Sequence, residues 1–301
     1  MDGYLELPEG WERVGSDGPG PFVTTELLRR PDGTVVRWES RRQRKGAGGL
    51  VEQPGPAERG GASVWWRPRR RNWWMSVLFI VGSACFMFGG LASQWSSISL
   101  TAIGIVFFVG SLFFTSAGYL QYAEAVNVER RVEPRQAARR WHPASWEPIR
   151  IDWLAALTQL IGTVLFNIST FAALQPDPNA ARVWAPDVFG SIAFLIASEL
   201  AFAEVCHRWV SLRHRTLSWW IVALNLLGSI AFGVSAVASL VEGASGGDLS
   251  ARITNGATTV GALGFLLASA LLIPEAGGEE QASPLSSRQP VAPPRAPAAD
   301  S

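Results

Sequence analysis

Three polar side chains set in apolar stretches are the first candidates for chemistry: Glu199, Gln159 and Asn225. Glu199 lies nine residues before Arg208, Gln159 nine after Arg150, and Asn225 ten after Arg215. At about 1.5 Å per helical residue, all three fall roughly 13–15 Å from one membrane boundary, in a shared layer. An ionisable group at that depth costs about 2.5–3.5 kcal/mol on insertion scales, so it should face a bundle interior and hold partners. The expectation is that Gln159 and Asn225 hydrogen-bond Glu199, either as a clamp between helices or as part of a proton or solute path. Within the spans, Glu199 is expected to be the only ionisable residue at depth. Asn167 extends the layer outward, whereas Glu124 and Glu204 are expected to reach water beside arginines at the interface.

Other chemistry is poorly supplied. Cys85 falls mid-helix and Cys206 at a helix end, so their depths argue against a disulfide. Cys206-His207 is one adjacent pair without metal-ligand spacing, and His142, His207 and His214 all fall in loops. The chain has no Walker loop, dinucleotide fingerprint, HExxH or G-x-S-x-G element. The expectation is a non-enzymatic protein with no cofactor and no metal.

The elements that would position these residues follow from charge distribution. Of 301 residues 48% are hydrophobic and 17% charged, where a soluble domain carries about 25% charged. No charge occurs in the 52 positions between Arg71 and Glu124, nor in the runs Trp153–Pro176, Thr216–Val241 and Ile253–Pro274. Runs of about 20 apolar residues match a bilayer's hydrocarbon thickness. With a break at Ser93-Gln94-Trp95-Ser96-Ser97, six spanning helices are expected: 73–92, 98–122, 151–174, 188–206, 217–241 and 253–273. A net charge of +1 argues against nucleic acid as a partner.

Residues 1–70 read as a soluble leader. Phe22–Arg29 and Thr34–Arg41 flank Pro31-Asp32-Gly33, a hairpin signal, and 46–61 is a linker. The first hairpin of helices occupies 71–128, a basic loop 129–150, the second hairpin 151–208 and the third 209–275. Residues 276–301 are proline-rich and expected to be disordered.

Gly-[Ser/Thr/Ala]-x-x-Phe occurs six times, once per expected helix. The pairs are Gly82/Phe86, Gly110/Phe114, Gly162/Phe166, Gly190/Phe194, Gly228/Phe232 and Gly261/Phe265. Glu124, Glu204 and Glu275 share one offset in the even helices. The fold class is therefore an all-α polytopic membrane protein of six transmembrane helices in three repeated hairpins, preceded by a short β-hairpin-like segment. Small residues mark helix contacts in lipid, and positions four apart share a face. Each glycine is expected to form a notch for a neighbouring helix's phenylalanine, with the Ser or Thr hydroxyl bonding across the contact or back to its own helix.

Arginine sets the orientation. Four precede the first helix (Arg67, Arg69, Arg70 and Arg71) and six lie between the second and third, among them Arg139 and Arg140. The alternate connections carry none or one, so both termini are expected on the cytoplasmic side. Twelve of fourteen tryptophans fall at helix ends or connecting loops, as interfacial rings prefer. Arg69, Arg70, Arg71, Arg139 and Arg140 are candidate contacts to anionic lipid. A start without a basic n-region and apolar h-region is expected to carry no cleavable signal peptide. Lys45 being the only lysine suggests a GC-rich bacterial genome, hence the bacterial inner membrane.

The stretch Asn72–Asn127, with two Gly-Ser-x-x-Phe helices, a short polar turn and a closing Tyr119-Leu-Gln-Tyr-Ala-Glu-Ala, resembles the YrhK-like family of two-helix bacterial membrane domains. The later hairpins depart from it, with Thr163 and Ala262 in place of Ser and a longer third loop. Asp32-Gly33-Thr34-Val35-Val36 and Ser40-Arg41-Arg42 also look like leaders that precede such domains. The resemblance implies architecture and no catalytic residue. The expected function is a structural or interaction module in the membrane. The alternatives are a small-solute or proton transporter at the Glu199 layer, and a regulatory subunit of another membrane protein. Expected partners are the bilayer, anionic lipid, and an unknown membrane protein or a second copy.

Overall fold

The computed structural model describes residues 5–45, 49–51, 65–66, 71–95, 97–128, 141–177, 179–211, 216–245 and 248–281. The leader begins with an antiparallel sheet, β1 (Glu12–Asp17), β2 (Thr25–Arg29), β3 (Val35–Glu39) and the two-residue β4 (Leu50–Val51), in that spatial order. The turn between β2 and β3 is the Pro31-Asp32-Gly33 turn expected from the sequence. Gly33 adopts φ 85°, and Asp32 accepts from the Thr34 amide at 2.8 Å. Alternating Leu28, Val36 and Trp38 form a small core with Leu5, which a lone hairpin would lack. The five-residue α1 (Ser40–Arg44) follows β3 directly, held to the sheet by Trp38 donating to Gln43 at 3.2 Å and the Ser40 amide to Thr24 at 3.0 Å.

Six long apolar helices follow: α2 (Arg71–Ala92), α3 (Leu100–Val126), α4 (Ile151–Ala173), α5 (Ala180–Cys206), α6 (Leu217–Ser245) and α7 (Asp248–Gln281). Each is long and apolar enough to cross a bilayer, and the chain is an integral membrane protein. Each helix packs on its chain neighbours and α7 returns to α2, closing a ring. Outward residues such as Ile105, Leu112, Ile161, Ile168, Leu227 and Val234 are exposed, as a lipid-facing surface requires.

Boundaries differ most at α5 and α7. Helix α5 begins at 180, eight residues earlier than expected. Asn179 caps it by accepting from the Ala181 and Arg182 amides, and Pro186 is accommodated within it. Helix α7 runs through Pro274 to Gln281, past the start of the expected tail, and residues 282–301 lie outside the described residues. The expected linker 46–61 also lies largely outside them.

The repeat explains the ring. Within each hairpin the two glycines and two phenylalanines interlock reciprocally. A Cβ on Gly162 would meet Phe194 at 2.7 Å, and one on Gly190 would meet Phe166 at 2.8 Å. Gly82 faces Phe114, Gly110 faces Phe86, Gly228 faces Phe265 and Gly261 faces Phe232 in the same way. The backbones themselves nearly touch: Gly261 O would lie 2.9 Å from a Cβ on Gly228. All six rings are buried on the axis as two triangles. Phe86, Phe166 and Phe232 have centroids 5.8–6.1 Å apart. Phe114, Phe194 and Phe265 are 5.7–6.4 Å apart. Motif hydroxyls bond in both expected ways, Thr163 donating to Leu160 O at 2.7 Å within its helix and Ser191 to Phe232 O at 3.4 Å across helices. The buried Ser83 hydroxyl departs from this and has no hydrogen-bond partner among the described residues.

Gly162→Ala is expected to overpack this contact and cost about 1–3 kcal/mol. Gly256→Ala, where a Cβ would meet nothing within 4 Å, is expected to be neutral or to stabilise by up to about 1 kcal/mol. Thermal unfolding of the two variants in detergent measures the contrast.

Candidate functional site

The phenylalanine layers divide the axis into two cavities, and the polar side chains of the core gather at its ends. At the end bearing the leader, a cavity of about 100 Å³ is lined by α1 and all six spanning helices. It has Phe114 and Phe265 on one side and Arg41, Arg44 and Lys45 on the other, with Gln159 and Asn225 in its wall. Helix α1 sits in the mouth of the ring as a basic stopper. Arg44 donates to Glu204 at 2.8 Å and Ser40 donates to the other oxygen of Glu204 at 3.3 Å. Arg41 donates to both oxygens of Glu275 at 3.0 and 3.2 Å, and Lys45 and Ser218 also contact that carboxylate. Asp152 is bound by Arg150 and lies 3.8 Å from Arg44.

Four buried carboxylates, Glu124, Asp152, Glu204 and Glu275, therefore meet a cluster of bases supplied mainly by the leader. Burial disfavours the charge on Arg44, but Glu204, Glu124 and Asp152 outweigh it and hold the guanidinium more firmly protonated than usual. This overturns the expectation that Glu124 and Glu204 are solvated. Glu204 is 1% exposed and Glu124 9%. Two signals in the sequence pointed here: three glutamates at one repeat offset, and the run Ser40-Arg41-Arg42-Gln43-Arg44-Lys45. Neither alone shows that a segment of the leader reaches the ring.

The Glu199 layer is only partly assembled. Gln159 and Asn225 both face the inner cavity, but Asn225 donates to Ser198 at 2.8 Å, and Ser198 pairs with Ser229 at 2.6 Å. Glu199, next to Ser198 in the chain, points away from the axis. It is half-buried, lines neither axial cavity, and among the described residues makes no hydrogen bond or ion pair. One residue of helical rotation separates the two outcomes, which depth alone could not resolve. Asn167 donates to Thr115 at 2.8 Å, tying α4 to α3.

At the far end the axial vestibule measures about 810 Å³ and is lined by all six spanning helices, with Phe86, Phe166 and Phe232 among its walls. Asp187 lies in it, on the same span as Glu199 and Glu204. The sequence reading missed it because the early start of α5, across Arg182 and Pro186, turns a supposed loop residue into a core one.

The leader is also held by α5's last turn. His207, in a left-handed conformation at φ 55°, makes a 2.8 Å hydrogen bond with Thr24, and Arg37 lies 3.5 Å from its other ring nitrogen. Cys85 and Cys206 are free thiols, and among the described residues no metal-binding cluster occurs. Of the candidate lipid contacts, Arg71 is exposed, whereas Arg69, Arg70, Arg139 and Arg140 lie outside the described residues.

Comparison of the chain with protein-family models, curated proteins and solved structures finds no match. The geometry therefore carries the functional reading.

Removing Arg44 leaves the buried Glu204 carboxylate with the Ser40 hydroxyl but without its cation, whereas Asp152 keeps Arg150, so Arg44→Ala is expected to weaken leader docking by about 3–5 kcal/mol. Faster tryptic release of the leader reads this out. Docking should also depend on pH. Burial lowers the His207 pKa below its ordinary value, with Arg37 assisting and Glu39 and Glu204 opposing. With the leader released, His207 therefore takes up a proton at a higher pH than it does with the leader docked. Docking is thus complete above about pH 6.5 and weakens as pH falls through that value towards the docked pKa. Leader release measured from pH 7.5 to 5.5 should rise, and His207→Gln should flatten the rise.

Proposed function

We propose that this protein is a non-enzymatic interaction module of the membrane, in which the ring is a receptor for a short basic helix. In this structure the receptor is occupied by the chain's own α1. The observation that supports this reading is the latch of Arg41, Arg44 and Lys45 on Glu204 and Glu275. Buried ion pairs are an expensive way to stabilise a fold, and their best-attested use is specificity or switching. A basic segment of another protein, or of a second copy, would compete for the same carboxylates. That makes the ring a regulated partner within a larger membrane assembly.

The arginine distribution supports a cytoplasmic position for the latch in a bacterial inner membrane, with both termini on that side. Arg69, Arg70, Arg71, Arg139 and Arg140 would then meet anionic headgroups. The Asn72–Asn127 residues support placing the three hairpins in the YrhK-like family.

A second reading, a gated solute pathway in its closed state, is favoured by the two cavities on opposite sides of the phenylalanine layers. A pair of experiments separates the readings. A synthetic peptide of residues 36–50 is expected to bind the Arg44→Glu variant, whose own α1 is expelled, and not the wild-type protein. Failure of the peptide to bind a variant whose leader is demonstrably released rejects the receptor reading. Proteoliposomes of both proteins are expected to leak small ions no faster than empty vesicles. Flux confined to the leader-released variant would instead establish the pathway.

A further inference from the structure

The far vestibule has a chemical character that neither reading uses. Its walls are aromatic: Phe86, Phe107, Phe166, Phe232 and Trp184. Its hydroxyls have already spent their protons on backbone carbonyls. Ser169 donates to Val183 O, Thr170 to Phe166 O, Ser239 to Ala236 O, and Thr254 to Ser250 O, at 2.7–2.9 Å. Trp184 likewise donates its indole N–H to Ala236 O at 3.2 Å. What these groups still offer is lone pairs and ring faces. Asn255 is the one lining side chain with amide hydrogens to give.

Among the described residues that line the vestibule, Asp187 is the only ionisable one, and no Lys, Arg or His joins it. Asp187 is half-buried and makes no ion pair or hydrogen bond among the described residues. A carboxylate beside aromatic faces in an acceptor-rich cavity is a site for positive charge, because both the ring quadrupole and the carboxylate attract it. An anion would meet a like charge and almost no donors. The volume of about 810 Å³ lies in the range of small-molecule sites and is far larger than a dehydrated metal ion needs.

We propose that this vestibule binds an amphipathic organic cation, with Asp187 as its counter-ion and the phenylalanine triangle beneath its apolar body. The cation is an ammonium-type group, carried either by a dissolved solute or by an amine-bearing lipid headgroup.

The test uses the full-length protein in phosphatidylglycerol nanodiscs and two ions of nearly equal size and shape but opposite charge, tetraphenylphosphonium and tetraphenylborate. Saturable, displaceable binding is expected for tetraphenylphosphonium and none for tetraphenylborate. Asp187→Asn should weaken tetraphenylphosphonium binding at least tenfold with an unchanged melting temperature, and Asp187→Glu should restore it. No saturable tetraphenylphosphonium binding, equal binding of tetraphenylborate, or full binding by a folded Asp187→Asn protein overturns the proposal. Should Asp187→Asn fail to fold, the two-ion comparison on the wild-type protein decides alone. Competition by phosphatidylethanolamine added to the disc assigns the cation to a headgroup. Competition by dissolved tetraethylammonium alone assigns it to a free solute, and either result supports the site.

Discussion

The close approach of two glycine backbones, with each helix's phenylalanine laid against the other's glycine, is the contact on which the ring depends. Lipid gives helices no hydrophobic reason to associate, so cohesion must come from dispersion contacts at short range. Glycine permits that range. In each hairpin a Cβ would lie within 2.7–3.2 Å of a ring atom or carbonyl of the partner helix. Because the contact is reciprocal and occurs three times, the six rings converge on one axis. A bundle held this way is solid at its centre.

A solid centre pushes polar chemistry to the two ends, and the ends differ. One end concentrates carboxylates and closes on a basic helix from the leader; the other leaves a roomy, acceptor-lined vestibule. The charges at the latched end are almost wholly withdrawn from water, so each depends on its partner. The leader sheet orients that partner: α1 continues directly from β3, and Gln43 binds both the Trp38 indole and the Gly49 amide, the latter at 2.7 Å. Sheet, α1 and ring therefore form one mechanical unit.

Architecture was largely legible because charge-free runs, turn residues and a repeated motif are local signals. Helix α2 and α4 boundaries fall within two residues of those read from the sequence, and the Gly–Phe pairing follows from spacing alone. The polar sites were less legible because they depend on rotation and on distant partners. Gln159 and Asn225 face the axis while Glu199, at the same depth, does not. Glu204 looks solvated until Ser40 and Arg44, at least 160 residues away in sequence, are brought to it. Asp187 was hidden by Pro186 and Arg182, residue types that argue for a loop although Asn179 starts a helix before them.

The latch also has a consequence for biogenesis. Arg41 is synthesised 234 residues before its counter-charge Glu275, which sits on α7. During translation the partners of the basic helix arrive in order, Glu204 with α5 and Glu275 with α7, so its seat is complete only when the α6–α7 hairpin has entered the bilayer. Full docking of the leader therefore reports that α7 is in place, and a product cut short before Glu275 would leave Arg41 without that carboxylate.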